Sequence, residues 1–219
     1  MIDDLIYDVG MNNGDDTAYY LARGYRVVAI EANPLLAKQG AERFAAEVAG
    51  GRLKILNVGV SDREGEFPFW ICETMSEWSS FNRDIASRDG HPHHELMIPC
   101  QRFSSIVAGH GVPFYLKVDI EGNDMLCLRD LKGPDLPKYV SLEAAVADFP
   151  SAAPARLARI FPVAGRARMR CGKPIASCAN GSPRANRASS GTRRNTPSGR
   201  TSTLVATVSP PRPREYSFS

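Results

Sequence analysis

The residues best suited to chemistry form the run Asp8-Val9-Gly10-Met11-Asn12-Asn13-Gly14-Asp15-Asp16-Thr17, where an apolar segment turns into a helical one. Gly10 and Gly14 leave room for backbone to approach a ligand, and a helix start offers unpaired N–H groups. A dinucleotide loop needs glycine at two further positions, which Asn12 and Asp15 occupy here. Because two carboxylates in the first helical turn would repel a pyrophosphate, the run favours a cofactor with positive charge and no phosphate. A tight turn without a ligand is the alternative interpretation.

Glu31 ends the second apolar segment, roughly 20 residues after the glycine run, where an acidic side chain accepts hydrogen bonds from ribose hydroxyls. This position implies adenosine, and an adenosyl cofactor with a sulfonium and an ammonium is S-adenosylmethionine. A solvated surface glutamate is the alternative. Asn57, Val60 and Ser61 follow the third apolar segment, at the edge where the adenine would rest, although turn formation explains Ser61 equally well. The predicted cofactor site comprises Asp8, Gly10, Asn12, Gly14, Thr17, Glu31, Asn57, Val60, Ser61 and Asp119.

The run Leu116-Lys117-Val118-Asp119-Ile120-Glu121-Gly122 carries a fourth apolar segment into acidic residues. Open α/β sheets bind ligands at the carboxyl ends of their strands. If the strand extends that far, Asp119 and Glu121 lie on the same side, where they would flank the transferred methyl group or accept a proton from the acceptor. They are the predicted catalytic residues, and helix capping is the competing interpretation for both. Lys117 precedes them on the same face, and we expect it to be an ion-pair partner, not a base.

Residues 75–96 are polar and irregular, which predicts a surface loop over the site. This segment contains His91, His93 and His94. Because no helix or strand is predicted to hold these histidines together, we expect surface exposure and no metal site. A histidine base for the acceptor hydroxyl is the other interpretation.

The elements that must position these residues alternate between short apolar runs and helix-like segments, a pattern typical of βαβ units and a parallel sheet. The apolar runs are nearly continuous, as expected of strands buried on both faces. The five predicted strands are Leu5 to Val9, Arg26 to Glu31, Leu53 to Val58, Phe114 to Ile120 and Tyr139 to Glu143. Helices are predicted from Asp15 to Arg23 and from Asn33-Pro34 onward, and a hairpin strand is predicted at Glu66 to Ile71. The expected fold is α/β, a Rossmann-like sheet with helices on both faces.

The composition changes after Asp148. Residues 1–148 hold 23 of the 24 acidic and 14 of the 27 basic side chains, a net charge of −9, whereas residues 149–219 carry +12. The second part is rich in Arg, Ala, Pro, Ser, Gly and Thr. The expected organisation is a cofactor-binding domain over 1–148 and a basic, low-complexity, disordered tail over 149–219. Three interpretations of this change are open: a lost reading frame near Ala145, a natural disordered tail, and a folded extension.

The overall composition is that of an ordinary globular protein, with 43% hydrophobic and 23% charged residues. The start Met1-Ile2-Asp3-Asp4 is acidic, unlike a signal peptide, and no apolar run approaches the roughly 20 residues of a membrane span. A cytoplasmic protein without a membrane partner is therefore expected. Five cysteines without a CxxC pair indicate reduced thiols, and neither a zinc site nor a disulfide framework.

Taken together, these motifs resemble an FkbM-type methyltransferase over roughly residues 4 to 144. The resemblance rests on the order and spacing of the glycine run and of residues 28–34, 57–61 and 116–122. It implies a class I methyltransferase fold, S-adenosylmethionine as the methyl donor, and O-methylation of a hydroxyl on a small molecule or a glycan. Nothing after Glu143 resembles the last helix and the antiparallel strands of such a sheet. The final strands, and with them part of the acceptor pocket, are therefore expected to be missing.

Three other functions compete with this interpretation. An inactive, truncated methyltransferase-like protein follows if the missing strands are essential. An NAD-dependent oxidoreductase is disfavoured by the acidic, glycine-poor loop. A nucleic-acid-binding protein would use the +12 tail to attract phosphates. The few aromatic residues of that tail do not interleave with its basic residues as stacking platforms would, so nucleic acid is not an expected partner.

Overall fold

The computed structural model describes residues 1–131 and 136–145 and, further along the chain, strands at 168–169 and 201–207. Strands are numbered in chain order. The main sheet contains β1 (Ile2–Val9), β2 (Arg26–Ile30), β3 (Leu53–Leu56), β7 (Pro113–Val118), β8 (Tyr139–Ala145), β9 (Arg168–Met169) and β10 (Thr201–Thr207). A smaller sheet contains β4 (Gly59–Val60), β5 (Gly65–Cys72) and β6 (His93–Gln101). The helices are α1 (Asp15–Ala22), α2 (Pro34–Arg43), α3 (Ala45–Ala49), α4 (Arg83–Ala86), α5 (Phe103–His110) and α6 (Asp124–Asp130), with 3-10 turns at Ser76–Trp78 and Arg88–Gly90.

Hydrogen bonding orders the main sheet as β3-β2-β1-β7-β8-β10-β9. β1 pairs in parallel with β2 on one side and with β7 on the other, and β3 and β8 extend the parallel part outward. The chain first builds outward on the β2 side of β1 and later returns to its β7 side. This reversal creates a crevice at the carboxyl ends of β1 and β7, the place where open α/β sheets bind ligands.

Successive residues of β1 belong to separate cores on the two faces of the sheet. Tyr7 lies in one apolar cluster with Phe103 of α5 and Leu128 of α6. Ile6 lies in the other cluster with Tyr20 of α1. Because both faces are covered, the parallel strands need continuous apolar runs, as their sequences show. The predicted α/β fold, with a parallel sheet and helices on both faces, is confirmed.

The small sheet lies between β3 and α5 in the chain, and we call residues 59–101 the insert. β5 and β6 pair antiparallel from Gly65 with Cys100 to Cys72 with His93. The predicted hairpin strand is thus confirmed. The predicted irregular loop over residues 75–96 is wrong at its end, since β6 begins at His93. Only the later part of β6 packs into the small apolar core of the insert, so the strand begins with polar, mostly exposed residues. This polar start explains why the sequence did not reveal the strand.

The structure also differs from the expectation that the final strands are missing. β10 pairs antiparallel with β8 along its whole length, from Thr201 with Ala145 to Thr207 with Tyr139, and β9 pairs antiparallel with β10. The sequence of β10, Thr-Ser-Thr-Leu-Val-Ala-Thr, is rich in residues that favour strands, a local signal that the polar composition of its surroundings concealed. The rest of the chain from residue 146 onward lies outside the described residues, and the predicted disorder of the tail falls there.

Two smaller expectations also concern the described ranges. Cys72, Cys100 and Cys127 are buried free thiols, as the absence of paired cysteine motifs predicted. Within the part of the chain that the structure describes, no helix combines the length and the apolar character needed to cross a bilayer.

Candidate functional site

A pocket opens at the carboxyl ends of β1, β2 and β7, where the main sheet meets the insert. Its core wall consists of Gly10, Met11, Asn12, Asn13, Asp16, Ile30, Glu31, Ala32, Leu36, Lys117, Asp119, Ile120 and Glu121. Its insert wall consists of Val58, the residue before the insert, and of Gly59, Val60, Phe69, Ser76, Glu77, Ser79 and Phe81. The two predicted catalytic residues, Asp119 and Glu121, both line the pocket.

The predicted cofactor residues divide into two sets. Those that line the pocket are Gly10, Asn12, Glu31, Val60 and Asp119. Those that lie outside its lining are Asp8, Gly14, Thr17, Asn57 and Ser61. The residues outside the lining support those that line the pocket, through contacts that the sequence did not reveal.

Glu31 is held in a fixed position directly after β2. Its Oε2 accepts the backbone N–H of Asn12 at 2.8 Å, and its Oε1 accepts the backbone N–H of Asn33 at 2.8 Å. Only 7% of the residue is exposed. Burial raises the pKa of Glu31, although the N–H groups of Asn33 and Asn12 oppose this shift. Because each carboxylate oxygen can accept more than one hydrogen bond, Glu31 can still accept hydroxyl groups from the pocket.

The three residues predicted to lie near the adenine have different surroundings. Val60 is buried and lines the pocket. Asn57 instead supports the chain at Glu31, because its Nδ2 donates to the carbonyl oxygen of Glu31 at 2.8 Å. Ser61 donates its backbone N–H to the carbonyl of Gln101 at 3.0 Å and so joins the end of β4 to β6. Only Val60 of the three is placed to touch a ligand directly.

The two glycines of the glycine run are required by the chain itself. Gly10 has φ 83°, and a Cβ atom there would lie 1.8 Å from the carbonyl oxygen of Asp119. Gly14 has φ 81°, and a Cβ atom there would lie 2.7 Å from the ring of Phe44. Close approach of backbone to a ligand was the predicted reason for both glycines. The structure adds a second reason, which is close approach between two segments of the protein.

Lys117 lies among three carboxylates next to the glycine run. Its Nζ donates to the carbonyl oxygen of Gly10 at 2.8 Å. The same Nζ lies 3.1 Å from Asp8 Oδ1, 3.5 Å from Asp16 Oδ2 and 3.8 Å from Asp119 Oδ2. Burial lowers the pKa of Lys117, but the three carboxylates outweigh it and the pKa is raised. The predicted ion-pair role of Lys117 is confirmed.

The acidic residues around Lys117 differ in their access to the pocket. Asp8 is fully buried, and its Oδ2 accepts the hydroxyl of Thr17 at 2.7 Å, which joins β1 to α1. Asp16 lines the pocket, a position that the sequence did not single out among the acidic residues of the first helical turn. Burial raises the pKa of Asp16, and the ammonium of Lys117 counteracts part of this shift.

Asp119 and Glu121 lie in the turn that follows β7 and not in the strand itself, and this turn brings them to the pocket. β7 ends at Val118, so the alternation expected of a longer strand does not apply to them. Glu121 has φ 45°, a left-handed conformation that turns the chain back. Both residues line the pocket because of this turn.

Asp124, the first residue of α6, stabilises that turn. Its Oδ1 accepts the backbone N–H of Ile120 at 3.1 Å, and its Oδ2 accepts the backbone N–H of Gly122 at 3.1 Å. No motif in the sequence pointed to Asp124, although an acidic residue at a helix start is a recognisable signal. The helix-capping role considered for Asp119 and Glu121 is not observed, because α6 begins after Asn123 without a side-chain cap.

Three side chains connect the insert to the core wall. Ser76 Oγ donates to Asn12 Oδ1 at 2.9 Å, and Ser80 Oγ donates to the carbonyl oxygen of Glu121 at 2.6 Å. Arg88 Nη2 donates to Glu121 Oε2 at 2.9 Å. Its guanidinium also lies over the ring of Trp78, 4.6 Å from the ring centroid. No motif in the sequence pointed to these residues. Their hydrogen-bond partners lie more than 30 positions away, and the other contact of Arg88 is an aromatic ring.

The histidines of the insert do not gather into a metal centre. His93 and His94 lie on β6 and are neighbours in sequence, so their side chains point to opposite faces of the strand. His94 Nδ1 lies 3.0 Å from Glu73 Oε1. Within the described ranges, no group of three or more His, Cys, Asp or Glu side chains is arranged to hold a metal ion.

Comparison with known proteins gives one family and several structures. The family model described as a methyltransferase FkbM domain matches residues 8–156. A methyltransferase FkbM from Methylobacillus flagellatus has a similar structure, with a TM-score of 0.53 and 13% identity over 93% of this chain. The similarity covers 43% of that chain, so this protein spans less than half of its length. No curated protein matches the sequence.

Two further solved structures are similar at lower TM-scores. The C-terminal domain of a precorrin-6Y C5,15-methyltransferase from Rhodobacter capsulatus is 11% identical, with a TM-score of 0.46 over 95% of this chain and 81% of that chain. A TehB-like SAM-dependent methyltransferase from Corynebacterium glutamicum is 9% identical, with a TM-score of 0.44 over 95% of this chain and 82% of that chain.

Proposed function

Since the chain belongs to the family of FkbM methyltransferase domains, we propose that it transfers a methyl group from S-adenosylmethionine to a hydroxyl of a small molecule or a glycan. The family match agrees with the resemblance found in the sequence motifs. The donor, the acceptor class and the residue roles below are the content of the proposal.

The observation that carries the proposal is the carboxylate of Glu31. It lies directly after β2 and lines the pocket, and two backbone N–H groups orient it. An acidic side chain in this place suits the two hydroxyls of a ribose. The glycine run beside it contributes Asp16 to the pocket lining, which suits a positively charged group and not a phosphate.

The residues present fit S-adenosylmethionine. When bound, this cofactor supplies a methyl group on a positively charged sulfur. Glu31 would accept the ribose hydroxyls, and Val60 would contact the adenine. Asp16 and Asp119 would face the positive charges of the donor. The family and the acidic lining of the pocket together support this assignment.

The acceptor hydroxyl would approach from the side of Asp119 and Glu121. Transfer to a hydroxyl requires that the reactants are held in line and that the acceptor proton is removed. Asp119 is the carboxylate that we assign to receive this proton. Glu121 is ion-paired with Arg88 of the insert, 2.9 Å away, so we assign it to orient the acceptor.

The test is donor binding by calorimetry with Glu31→Ala and, as a matched control, Glu42→Ala on the exposed surface of α2. Charge-assisted hydrogen bonds are worth roughly 1.5–3 kcal/mol each, so Glu31→Ala should weaken S-adenosylmethionine binding by about tenfold or more. Glu42→Ala should leave the affinity unchanged. Equal affinity of the Glu31 variant would contradict the ribose assignment. Binding of NAD in place of S-adenosylmethionine by the unaltered protein would overturn the proposal as a whole.

A further inference from the structure

Lys117 is the point where three segments that border the pocket meet. Its Nζ contacts the glycine run through the Gly10 carbonyl, α1 through Asp16, and the turn after β7 through Asp119. It also lies 3.1 Å from Asp8 of β1. Lys117 itself is 9% exposed, yet it lines the pocket. One buried ammonium therefore sets the spacing between the segments that surround the site.

One ammonium is shared by three carboxylates around Lys117, all within 3.8 Å of its Nζ. Buried carboxylates are costly unless cations stabilise them. Two of the three carboxylates, Asp16 and Asp119, line the pocket. The arrangement therefore leaves a place for positive charge on the pocket side.

We propose that Lys117 is a positioning residue for the methyl donor: its ammonium fixes the glycine run against the Asp119 turn and holds Asp16 and Asp119 at the pocket wall, where they face the donor. This inference rests on the proposed function, since a cationic donor is what these carboxylates would bind. Lys117 acts through its neighbours and is not assigned contact with the donor.

The inference predicts a change in the pH dependence of donor binding when Lys117 loses its charge. Burial raises the pKa of Asp16, and Lys117 opposes that shift. Without the ammonium the pKa of Asp16 rises further, so protonation begins at a higher pH. Since a protonated Asp16 no longer attracts a cation, the loss of affinity on acidification should begin at a higher pH. The titratable groups that face Lys117 are Asp8, Asp16, Asp119, Glu31 and Tyr115. Asp15 and Tyr20 in addition interact with Asp16.

The experiment measures S-adenosylmethionine affinity by calorimetry as a function of pH for Lys117→Met, Lys117→Arg and Lys54→Met. An opposite charge at this distance shifts a carboxyl pKa by about one unit or more. The acid-side loss of affinity in Lys117→Met should therefore move up by about one pH unit, which makes binding about fivefold weaker at the wild-type midpoint. Lys117→Arg should restore the wild-type midpoint, because it keeps the charge. Lys54→Met, at an exposed position on β3, should match the unaltered protein.

Asp16→Asn tests the same inference if Lys117→Met does not fold. Asp16 is partly exposed, so an amide in place of its carboxylate should be tolerated. Because the amide does not titrate, donor affinity should fall less steeply as the pH is lowered. The inference is overturned if Lys117→Met folds and binds with an unchanged pH profile, or if Asp16→Asn retains the full profile. If either result is obtained while the unaltered protein binds the donor normally, the proposed function still holds. Failure of the unaltered protein to bind the donor would instead refute the proposed function.

Discussion

The core wall and the insert wall of the pocket hold their polar groups in different ways. On the core wall, Glu31 is oriented by two backbone N–H groups, and Lys117 is bound to a backbone carbonyl. Both residues are less than one tenth exposed. The insert instead contacts the core through side chains, such as the Arg88 pair with Glu121, whose partners are 36% and 31% exposed.

This difference separates a rigid side of the site from an adjustable one. The glycine run is tied to β2 because the N–H groups of Gly10 and Met11 both donate to the carbonyl oxygen of Ile30, so we expect the core wall to be rigid. Partly exposed side-chain pairs contribute little to stability, so we expect the segment around Arg88 to open at a lower free-energy cost than the core wall.

The largest effect is expected from Gly10→Ala on the core wall. The new Cβ would meet the Asp119 carbonyl, which is backbone and cannot rotate away. Clash and left-handed strain together should lower the free energy of unfolding by at least about 3 kcal/mol. Chemical denaturation measures this loss, and calorimetry should show that donor binding is abolished.

Gly24→Ala is the matched control for that substitution. Gly24 has φ 88°, close to that of Gly10, but no atom lies within 4 Å of its Cβ position. Left-handed strain alone should cost about 1–2 kcal/mol, and donor binding should persist. Equal losses in the two variants would show that the contact between Gly10 and Asp119 is unimportant, and the contrast between the two walls would lose its main support.

The sequence predicted the core wall well because its determinants are local. Five strands, the glycine run, Glu31 and the acidic residues that follow β7 succeed one another at spacings that the sheet dictates, although the turn that holds these acidic residues was expected to be strand. The reasons for several residues were not local and were missed. Gly10 depends on the Asp119 carbonyl, more than 100 positions away, and nothing near Gly10 in sequence announces that contact.

The insert wall and the end of the sheet were predicted less well. β6 begins with exposed polar residues, and β10 lies within a segment whose average composition is unlike that of a strand. Arg88 was not identified because its role depends on Trp78 and Glu121, which only the folded chain brings together. Side-chain pairs between distant segments leave no periodic signal in a single sequence.

A smaller effect is expected from Arg88→Met on the insert wall. The pair with Glu121 is partly exposed, so global stability should change by less than about 1 kcal/mol. Hydrogen exchange of residues 75–90 should nevertheless become faster, because this pair helps to hold the insert against the core. Arg26→Met, which removes the exposed pair with Asp4, is the control and should leave exchange at 75–90 unchanged. A fall in stability as large as that of Gly10→Ala would show that both walls are equally rigid.

The smallest effect is expected from Ser76→Ala, which removes a single hydrogen bond between the walls. Ser76 Oγ donates to Asn12 Oδ1, and the backbone N–H of Asn12 donates to Glu31 on the core wall. A neutral hydrogen bond contributes about 1 kcal/mol, so local opening of residues 75–80 should increase about fivefold, with thermal stability unchanged. Hydrogen exchange measures the opening, and Ser105→Ala, which removes a bond to Glu64 outside residues 75–80, is the control and should leave exchange at 75–80 unchanged.

If the walls are as independent as their contacts indicate, Ser76→Ala should leave donor affinity at its normal value. Glu31 keeps both of its backbone donors when Ser76 is removed, since neither bond passes through the insert. A loss of donor affinity in Ser76→Ala would mean that Asn12, with its left-handed φ of 48°, needs the insert to remain in place. The hydrogen bond from Ser76 would then be one of the contacts that hold the donor site in shape.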